Sequence, residues 1–385
     1  MTIDLKLPLD GSLTSLLIYE GILYTLRRVF HSVTMPAHGF TISRSDLISM
    51  LREDLDERRL QSLNISIVGK NDRPSVRRLL NGLGVKSIRQ KKEITKFGDI
   101  LRLISRTRSL RIGDKIEIGI RISRNKLYIG YVVDEERNDK GITFQIFKTE
   151  RYTGLTSTEH LYTAKQITAY MTPEVALFTL IGLYSSFVVT SDNTHYMLFF
   201  APEEMSSMLS GDKDIETMFL LKNKCREILA EIVRKKYSEE LVIVETLLNI
   251  NIQNLLSKNN IKSVMLILLK LAREGQVYKI YQQVPLALYE RSKPALLQVL
   301  TKVLDPSGIV LSRLARVSSP EYSNLVSVVV GIYRYVVLGE LLGLYSALRE
   351  LHNAYVKVSK EENARNISTR YLHLLRQLST LSAQM

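Results

Sequence analysis

Three arginines in one short segment are the residues of this chain best suited to recognising an anionic ligand. Arg106, Arg108 and Arg111 follow one another at spacings of two and three residues. A guanidinium group is planar, always charged, and carries a fork of donors that matches a phosphate group or the edge of a guanine base. We therefore predict that these three side chains bind nucleic acid.

A second basic run surrounds a turn predicted at Gly82. Flexible basic side chains of this kind suit contact with a sugar-phosphate backbone, which carries no sequence information. The residues that we predict to bind nucleic acid in this run are Arg77, Arg78, Lys86, Arg89, Lys91 and Lys92. Bases farther along the chain complete the predicted set: Arg124, Lys148 and Arg151. The alternative for each residue is a solvated charge or an ion pair within the protein.

The positive charge is concentrated in one segment. Seventeen of the 53 Lys and Arg residues lie between Lys70 and Lys126, together with only five acids, so this segment holds +12 of the formal net charge of +14. The rest of the chain is nearly neutral. A focused positive field indicates a polyanionic partner, and nucleic acid is the densest common polyanion. A basic surface without a ligand is the alternative.

Residues for catalysis or metal binding form no recognisable motif. Cys225 is the only cysteine, which excludes an internal disulfide and a zinc site built from several cysteines. None of the six histidines forms a His-Glu-x-x-His pattern, and none pairs with another at helical spacing. Gly69 and Lys70 lack the other residues of a phosphate-binding loop. We predict a binding protein with no catalytic residue, metal or cofactor.

Two other functions stay open. A divergent metal-dependent nuclease would use Asp114 and Glu117 beside a predicted strand, but Gly119 occupies the position where such enzymes need a lysine. A stand-alone nucleic-acid-binding regulator is the second alternative, although no compact helix-turn-helix is evident.

The elements that must position the basic residues are predicted from hydrophobic periodicity. Helical spacing predicts helices over residues 12–30, 47–63, 74–80 and 94–104. Strict alternation then predicts strands over residues 115–122 and 127–133, and a third over 142–147, as an antiparallel meander. Tyr128 and Tyr131 would then lie beside Arg121 or Arg124, where a ring could stack on a base; packing within the sheet is the alternative.

The rest of the chain is predicted to be mostly helical. Thr172, Pro173 and Glu174 are typical of a helix start, and residues 195–200 predict one strand. Helices are predicted over residues 215–236, 239–256, 261–273, 294–304, 321–355 and 361–381. The fold class is therefore α+β, with a helical and β-meander N-terminal half and a mostly α-helical C-terminal half. We predict a basic nucleic-acid-contacting domain over residues 1–205 and a helical domain over residues 206–385.

The sequence gives no reason to expect a membrane protein. The start of the chain has no basic segment followed by an apolar run, so we expect a cytoplasmic protein without a signal peptide. Residues 175–189 are nearly uncharged but too short to cross a bilayer, and residues 325–351 contain charges that leave one apolar face. Both are interpreted as helices packed in a protein core.

Several segments resemble the large subunit of archaeal type I-A CRISPR effector complexes. The similar segments are residues 84–92 (GVKSIRQKK), 109–116 (SLRIGDKI), 144–154 (FQIFKTERYTG), 182–187 (GLYSSF), 196–204 (YMLFFAPEE), 274–281 (EGQVYKIY) and 332–335 (IYRY). The resemblance covers most of the length, but none of these segments is a short catalytic signature.

The resemblance implies a non-catalytic subunit of a Cascade complex for antiviral defence. Its partners would be CRISPR RNA, target DNA, and other effector subunits, namely the backbone subunits, the small subunits and a helicase-nuclease that cuts the target. In RNA-guided systems, pairing with the guide reads the target, while protein reads a short flanking motif in duplex DNA. The basic N-terminal half would contact that flanking duplex or the 5′ end of the guide. The helical half would pack on backbone subunits or on the displaced strand.

Overall fold

The computed structural model describes residues 1–29, 39–85, 94–123, 126–132, 141–147, 169–235, 239–290, 300, 303–304, 308–360 and 365–382. The fold class is α+β, as predicted. The chain forms two compact units, the first of residues 1–222 and 265–285 and the second of residues 223–264 and 286–385. The predicted domain boundary after residue 205 therefore lies inside the first unit. In the part of the chain that the structure describes, no helix has the length and apolar character needed to cross a membrane.

Two buried helices lie at the centre of unit 1. Helix α1 (Leu13–Val29) packs on helix α6 (Pro173–Ser186), which is buried along its whole length. Their backbones touch at two glycines: a Cβ atom on Gly21 would lie 1.8 Å from the carbonyl oxygen of Phe178, and one on Gly182 would lie 1.9 Å from that of Leu17. Only glycine permits this approach.

The remaining helices of the N-terminal half are shorter. They are α2 (Arg44–Glu53), α3 (Glu57–Ser62), α4 (Gly69–Gly82) and α5 (Phe97–Ser105). The single helix predicted over residues 47–63 is wrong, because the chain turns at Asp54 and Asp56 then caps α3 by accepting a hydrogen bond from the Arg59 amide. Short polar side chains compete in this way with a continuous helix.

A five-stranded mixed sheet lies in unit 1. Its strands are β1 (Thr2–Leu5), β2 (Gly39–Thr41), β3 (Lys115–Ser123), β4 (Lys126–Val132) and β5 (Ala169–Met171). The order is β2-β1-β3-β4-β5, with β1 parallel to β3 and β4 parallel to β5. The β3–β4 pair confirms the predicted antiparallel hairpin.

The third strand of the predicted meander is wrong. Only Ile142 forms a bridge, to Met171, and residues 145–147 form a short 3₁₀ turn. Side chains of helix α4 form hydrogen bonds with backbone groups that a third strand would have used for pairing. The amide of Gln145 donates to the buried carboxylate of Asp72, at 2.9 Å. The hydroxyl of Ser75 donates to the carbonyl of Thr143, at 2.6 Å.

A second sheet joins sequence-distant strands. It has the order β6-β7-β8-β9, with β6 (Phe187–Ser191), β7 (Thr194–Phe200), β8 (Ser263–Glu274) and β9 (Val277–Tyr289). Strand β7 confirms the strand predicted over residues 195–200. The helix predicted over residues 261–273 is wrong, since β8 pairs antiparallel with β7. Residues 266–269 are all buried, and a strand buried on both faces has a continuous apolar run that periodicity does not separate from a helix.

Helices α7 (Pro202–Leu209) and α8 (Ile215–Arg234) follow β7, and α8 passes from unit 1 into unit 2. Unit 2 also contains α9 (Glu239–Leu248), α10 (Ile250–Lys258), α11 (Ile309–Leu314), α12 (Tyr322–Leu338), α13 (Leu341–Ser359) and α14 (Arg365–Ser382).

The predicted helix over residues 321–355 is wrong, because Gly339 adopts a left-handed conformation with φ of 73° and ends α12. The helix predicted over 239–256 is likewise divided, since Asn249 caps α10. Most of the helix predicted over 294–304 lies outside the described residues.

Candidate nucleic-acid interface

The segment between α5 and β3 exposes the three arginines singled out by their spacing. Arg106 follows α5, and the side chains of Arg106, Arg108 and Arg111 are all exposed. The side chains of Leu110 and Ile112, on either side of Arg111, are buried and anchor the segment on the core. The alternation of buried and exposed side chains therefore directs the arginines to solvent while their backbone is held in place.

This segment lies against the end of α4. The amide of Arg111 donates to the carbonyl of Leu83, at 2.9 Å, and the Cβ of Arg111 would be 3.3 Å from a Cβ placed on Gly84. Gly84 has φ of 70°, a conformation that the C-terminal turn of a helix commonly requires. A cation here also lies near the negative end of the α4 dipole. The structure thus brings Arg111 beside the helix that carries Arg77 and Arg78, the first two bases of the second basic run.

The two arginines of α4 that belong to the predicted site have different environments. Arg77 is exposed, whereas Arg78 is half-buried and its guanidinium donates to the carbonyl of Gly141, at 3.2 Å. Arg78 therefore joins Asp72 and Ser75 in holding residues 141–147 on α4. Of these two arginines, Arg77 is the one that is directed to solvent.

One acid of the first 60 residues forms ion pairs with some of the arginines of this segment. Glu57 on α3 forms an ion pair with Arg102 at 2.7 Å and lies 3.7 Å from the guanidinium of Arg106, whose side chain is 69% exposed. The guanidinium groups of Arg77, Arg108 and Arg111 have no hydrogen bond or ion pair to any residue that the structure describes. We refer to Arg77, Arg108 and Arg111 as the arginine cluster.

Other predicted site residues lie outside the described residues. They are Lys86, Arg89, Lys91, Lys92, Arg124, Lys148 and Arg151. The described part of the chain stops at Val85, whose amide donates to the carbonyl of Leu80 in α4, at 2.8 Å.

The outer face of the β3–β4 hairpin combines a base with an aromatic ring. The guanidinium of Arg121 lies 5.3 Å from the centre of the Tyr131 ring, a cation–π distance. The Tyr131 hydroxyl forms a hydrogen bond with the carboxylate of Glu117. This hydrogen bond is the main cause of the lowered pKa of Glu117 and of the raised pKa of Tyr131. Lys6 completes the group at 3.0 Å from Glu117. Tyr128 instead packs on Tyr170, with ring centres 5.7 Å apart.

The two carboxylates of the nuclease alternative have partners of their own. Asp114 bonds to Arg44 at 2.7 Å with its side chain 89% exposed, while Glu117 is held by Lys6 and Tyr131. Within the described ranges, no three residues of the types His, Cys, Asp or Glu are grouped so that they could hold a metal ion.

Sequence comparison places the chain beside an archaeal relative. An uncharacterized protein of Archaeoglobus fulgidus is 31% identical over 404 residues, which take in 98% of this chain and 100% of the relative. The chain belongs to the family of that protein. Because the alignment covers nearly the whole chain, family membership extends to both units. No family model matches the chain, and no solved structure matches it at a significant level.

Sequence reasoning missed one base that contacts the segment of the three predicted arginines. Arg52 on α2 donates to the carbonyl of Thr107, at 3.1 Å, between two of the predicted arginines. It lies in a region where acids and bases balance, so no charge signal marks it. Only the packing of α2 against α5 brings it to the basic segment.

Sequence reasoning also missed a buried polar triad in the same unit. Glu20 bonds to both Lys222 and Ser185, and the Lys222 amine lies 4.7 and 4.8 Å from the ring centres of Phe200 and Phe219. A lysine beside a serine can activate the hydroxyl as a nucleophile. Here Glu20, Lys222 and Ser185 are at most 2% exposed, so no substrate reaches them and the triad is structural.

Proposed function

We propose that this protein is the non-catalytic large subunit of a CRISPR RNA-guided interference complex, acting in the cytoplasm in antiviral defence. It binds target DNA and recognises the motif that flanks the protospacer, together with CRISPR RNA, backbone and small subunits, and a helicase-nuclease. The observation that carries the proposal is the arginine cluster. Arg77 lies on α4, the backbone of Arg111 is bonded to Leu83 just after α4, and Arg108 precedes Arg111 by three residues. Their three guanidiniums have no partner among the described residues, and in the sequence α4 is followed by the basic run 86–92.

The chemistry of the arginine cluster suits duplex DNA. The backbone of its three arginines is held on a helix and on a segment anchored by buried Leu110 and Ile112, so the backbone loses little conformational freedom when the side chains bind. Arg102 and Arg106, which Glu57 partly neutralises, would contribute less. Contacts with phosphate position the protein on the duplex, and contacts with guanine edges provide sequence preference. The resemblance of segments across the chain to the large subunit supports the assignment to a CRISPR complex.

The test of DNA binding compares two variants with the same change in net charge. Arg77→Gln, Arg108→Gln and Arg111→Gln together remove the arginine cluster. The matched control carries Lys224→Gln, Lys235→Gln and Lys279→Gln, whose lysines pair with Glu227, Glu231 and Glu274 at 3.0, 2.7 and 2.5 Å. We expect the first variant to bind duplex DNA about 100-fold more weakly near 0.1 M salt, with a salt slope reduced by about 3. The control should bind as the native protein does. Equal binding by all three proteins would contradict this site.

The test of the complex is purification of the tagged protein from its native host. We expect repeat-derived guide RNA and CRISPR backbone subunits to copurify. Recovery of the protein without either would contradict the assignment to a CRISPR complex even if the arginine cluster binds DNA. With the assembled complex, exchange of the flanking sequence should change the affinity of the native protein and leave that of the arginine-cluster variant unchanged.

A further inference from the structure

The last helix of the chain has a charge pattern unlike that of the rest of unit 2. Helix α14 (Arg365–Ser382) contains Arg365, Arg370 and Arg376 and no acid, and no acid follows it to the end of the sequence. Two acids, Glu361 and Glu362, precede it and lie outside the described residues. The chain outside the segment from Lys70 to Lys126 is nearly neutral in sum, and that sum conceals this local excess.

Among the described residues, some surface bases of unit 2 are paired with acids, and the three arginines of α14 are not. Lys224 pairs with Glu227 at 3.0 Å, Lys235 with Glu231 at 2.7 Å, and Arg349 with Glu350 at 3.1 Å. Arg365, Arg370 and Arg376 are all exposed, and their guanidiniums have no hydrogen bond or ion pair to any other part of unit 2 that the structure describes. Three such cations on one helix form a positive surface available to a ligand.

A short repeat sets the arrangement of this surface. The sequence Arg-x-x-Ser-Thr occurs twice in α14, at residues 365–369 and 376–380, with an offset of eleven residues. Eleven residues make three helical turns, so the two arginines lie at nearly the same angle around the axis and roughly 16 Å apart. The hydroxyls of Thr369 and Thr380 donate to the carbonyls of Arg365 and Arg376, at 2.8 Å in both cases.

The opposite side of α14 is buried in the protein core. Tyr371, Leu374 and Leu378 are buried, and α14 packs on α13. The outer arc between the arginines carries the threonines of the repeat and His373, whose ring bonds to Gln377. A flat, acid-free arc with cations along its length fits an extended chain of phosphates better than it fits a compact anion.

We propose that the outer face of α14 is a second nucleic-acid-binding surface, which takes the phosphodiester backbone without reading its sequence. Its cations are separate from the arginine cluster and belong to the other unit. This inference does not depend on the assignment to a CRISPR complex, because it requires only a nucleic acid as the ligand. A single-stranded or a duplex backbone offers the same chemistry, and the probes below separate them.

The experiment uses the full-length protein with Arg365→Gln, Arg370→Gln and Arg376→Gln. Glutamine keeps helix propensity, and the thermal midpoint and helical circular dichroism should stay native. Probes are fluorescent single-stranded RNA, single-stranded DNA and duplex DNA of one sequence. We expect at least a tenfold loss of affinity for one of these probes near 0.1 M salt, with a salt slope reduced by about 2 to 3. The matched control is the same Lys224, Lys235 and Lys279 triple variant.

Combination with the arginine-cluster variant separates the two sites. If the surfaces are independent, the salt-slope reductions of the two triple variants should add in the six-residue variant. Loss of binding in the α14 variant alone supports the second surface even if the arginine cluster proves inactive. Affinities for all three probes equal to those of the matched control would overturn the inference. Selective loss of binding to anionic phosphatidylglycerol vesicles, without loss for any nucleic acid, would overturn it as well.

A cross-linking measurement locates the contact directly. The native thiol of Cys225 is fully buried, and burial raises its pKa, so a thiol-reactive photoprobe will label an introduced cysteine instead. Thr369→Cys places the probe on the outer arc of α14, and Ser206→Cys places it on exposed α7 in unit 1 as the control. We expect cross-links to nucleic acid from position 369 to exceed those from position 206 several-fold. Equal yields would contradict the assignment.

Discussion

Unit 1 holds its cations in two opposite environments. Lys222 is buried with Glu20, Ser185 and two aromatic rings, and the guanidinium of Arg59 donates to the carbonyls of Tyr184 and Ser185, both at 2.7 Å. The guanidiniums of the arginine cluster, Arg77, Arg108 and Arg111, face solvent and have no partner among the described residues. A buried cation must be satisfied inside the protein because desolvation is costly, whereas an exposed one can remain available to a ligand. The environment, more than the residue type, separates structural charge from binding charge.

The buried side of this comparison predicts the largest effect. Lys222→Met should destabilise the fold by about 3 to 5 kcal/mol, because the carboxylate of Glu20 loses its buried partner. Urea unfolding at neutral pH measures the change. The double variant Glu20→Gln with Lys222→Met should recover much of the loss, since no buried charge then remains. A loss below about 1 kcal/mol in the single variant would show that the pair is not the buried, coupled group described here.

A neutral buried base predicts the next largest effect. Burial lowers the pKa of His195 to about 4, and its Nδ1 lies 2.8 Å from the hydroxyl of Thr190. The unfolded chain takes up this proton near pH 6.5, so the stability contributed by neutral His195 is complete above that pH and is lost as the pH falls towards 4. The loss should reach about 3 kcal/mol.

Stability against pH, measured with His195→Gln, tests this contribution. The difference between the native protein and the variant should change between pH 6.5 and 4 and stay level above pH 7. His373→Gln, at an exposed position, is the control and should leave the profile unaltered. A constant difference across the whole range would contradict a depressed pKa.

The exposed side of the comparison predicts the smallest effect on stability. Removal of the arginine cluster by Arg77→Gln, Arg108→Gln and Arg111→Gln should change the free energy of unfolding by less than about 0.5 kcal/mol, because these guanidiniums have no partner within the described protein. Any change should be stabilising at low salt, since repulsion within a positive segment is reduced. The same urea unfolding measures it. A loss above about 1 kcal/mol would mean that these arginines are structural, like Lys222.

Local signals predicted the elements whose structure depends on their own sequence. The period of residues 12–30 predicted α1, and strict alternation predicted the β3–β4 hairpin. Thr172 caps α6 through a hydrogen bond from the Val175 amide, as the helix-start pattern indicated. Arg106, Arg108 and Arg111, which were singled out by their type and spacing, are exposed in the structure, although that prediction did not use their buried neighbours Leu110 and Ile112.

The elements that the sequence patterns did not predict depend on tertiary contacts. Asp72 and Ser75 bind backbone groups that the third strand of the meander would have used, although they lie about 70 residues earlier in the sequence. Strand β8 has a helix-like apolar run because both of its faces are buried. The approach of Arg111 to the end of α4 depends on one hydrogen bond to Leu83, which no periodicity reveals.

The glycine crossing of α1 and α6 has a consequence for synthesis on the ribosome. Helix α1 is buried along most of its length, and its principal partner in the sequence is made about 160 residues later, which takes roughly 10 to 30 s of elongation at typical rates. During that interval the nascent chain lacks the helix that covers most of α1, and of the elements made soon after α1, α2 contacts part of it. The growing polypeptide is therefore a client for chaperones that shield apolar segments until α6 emerges.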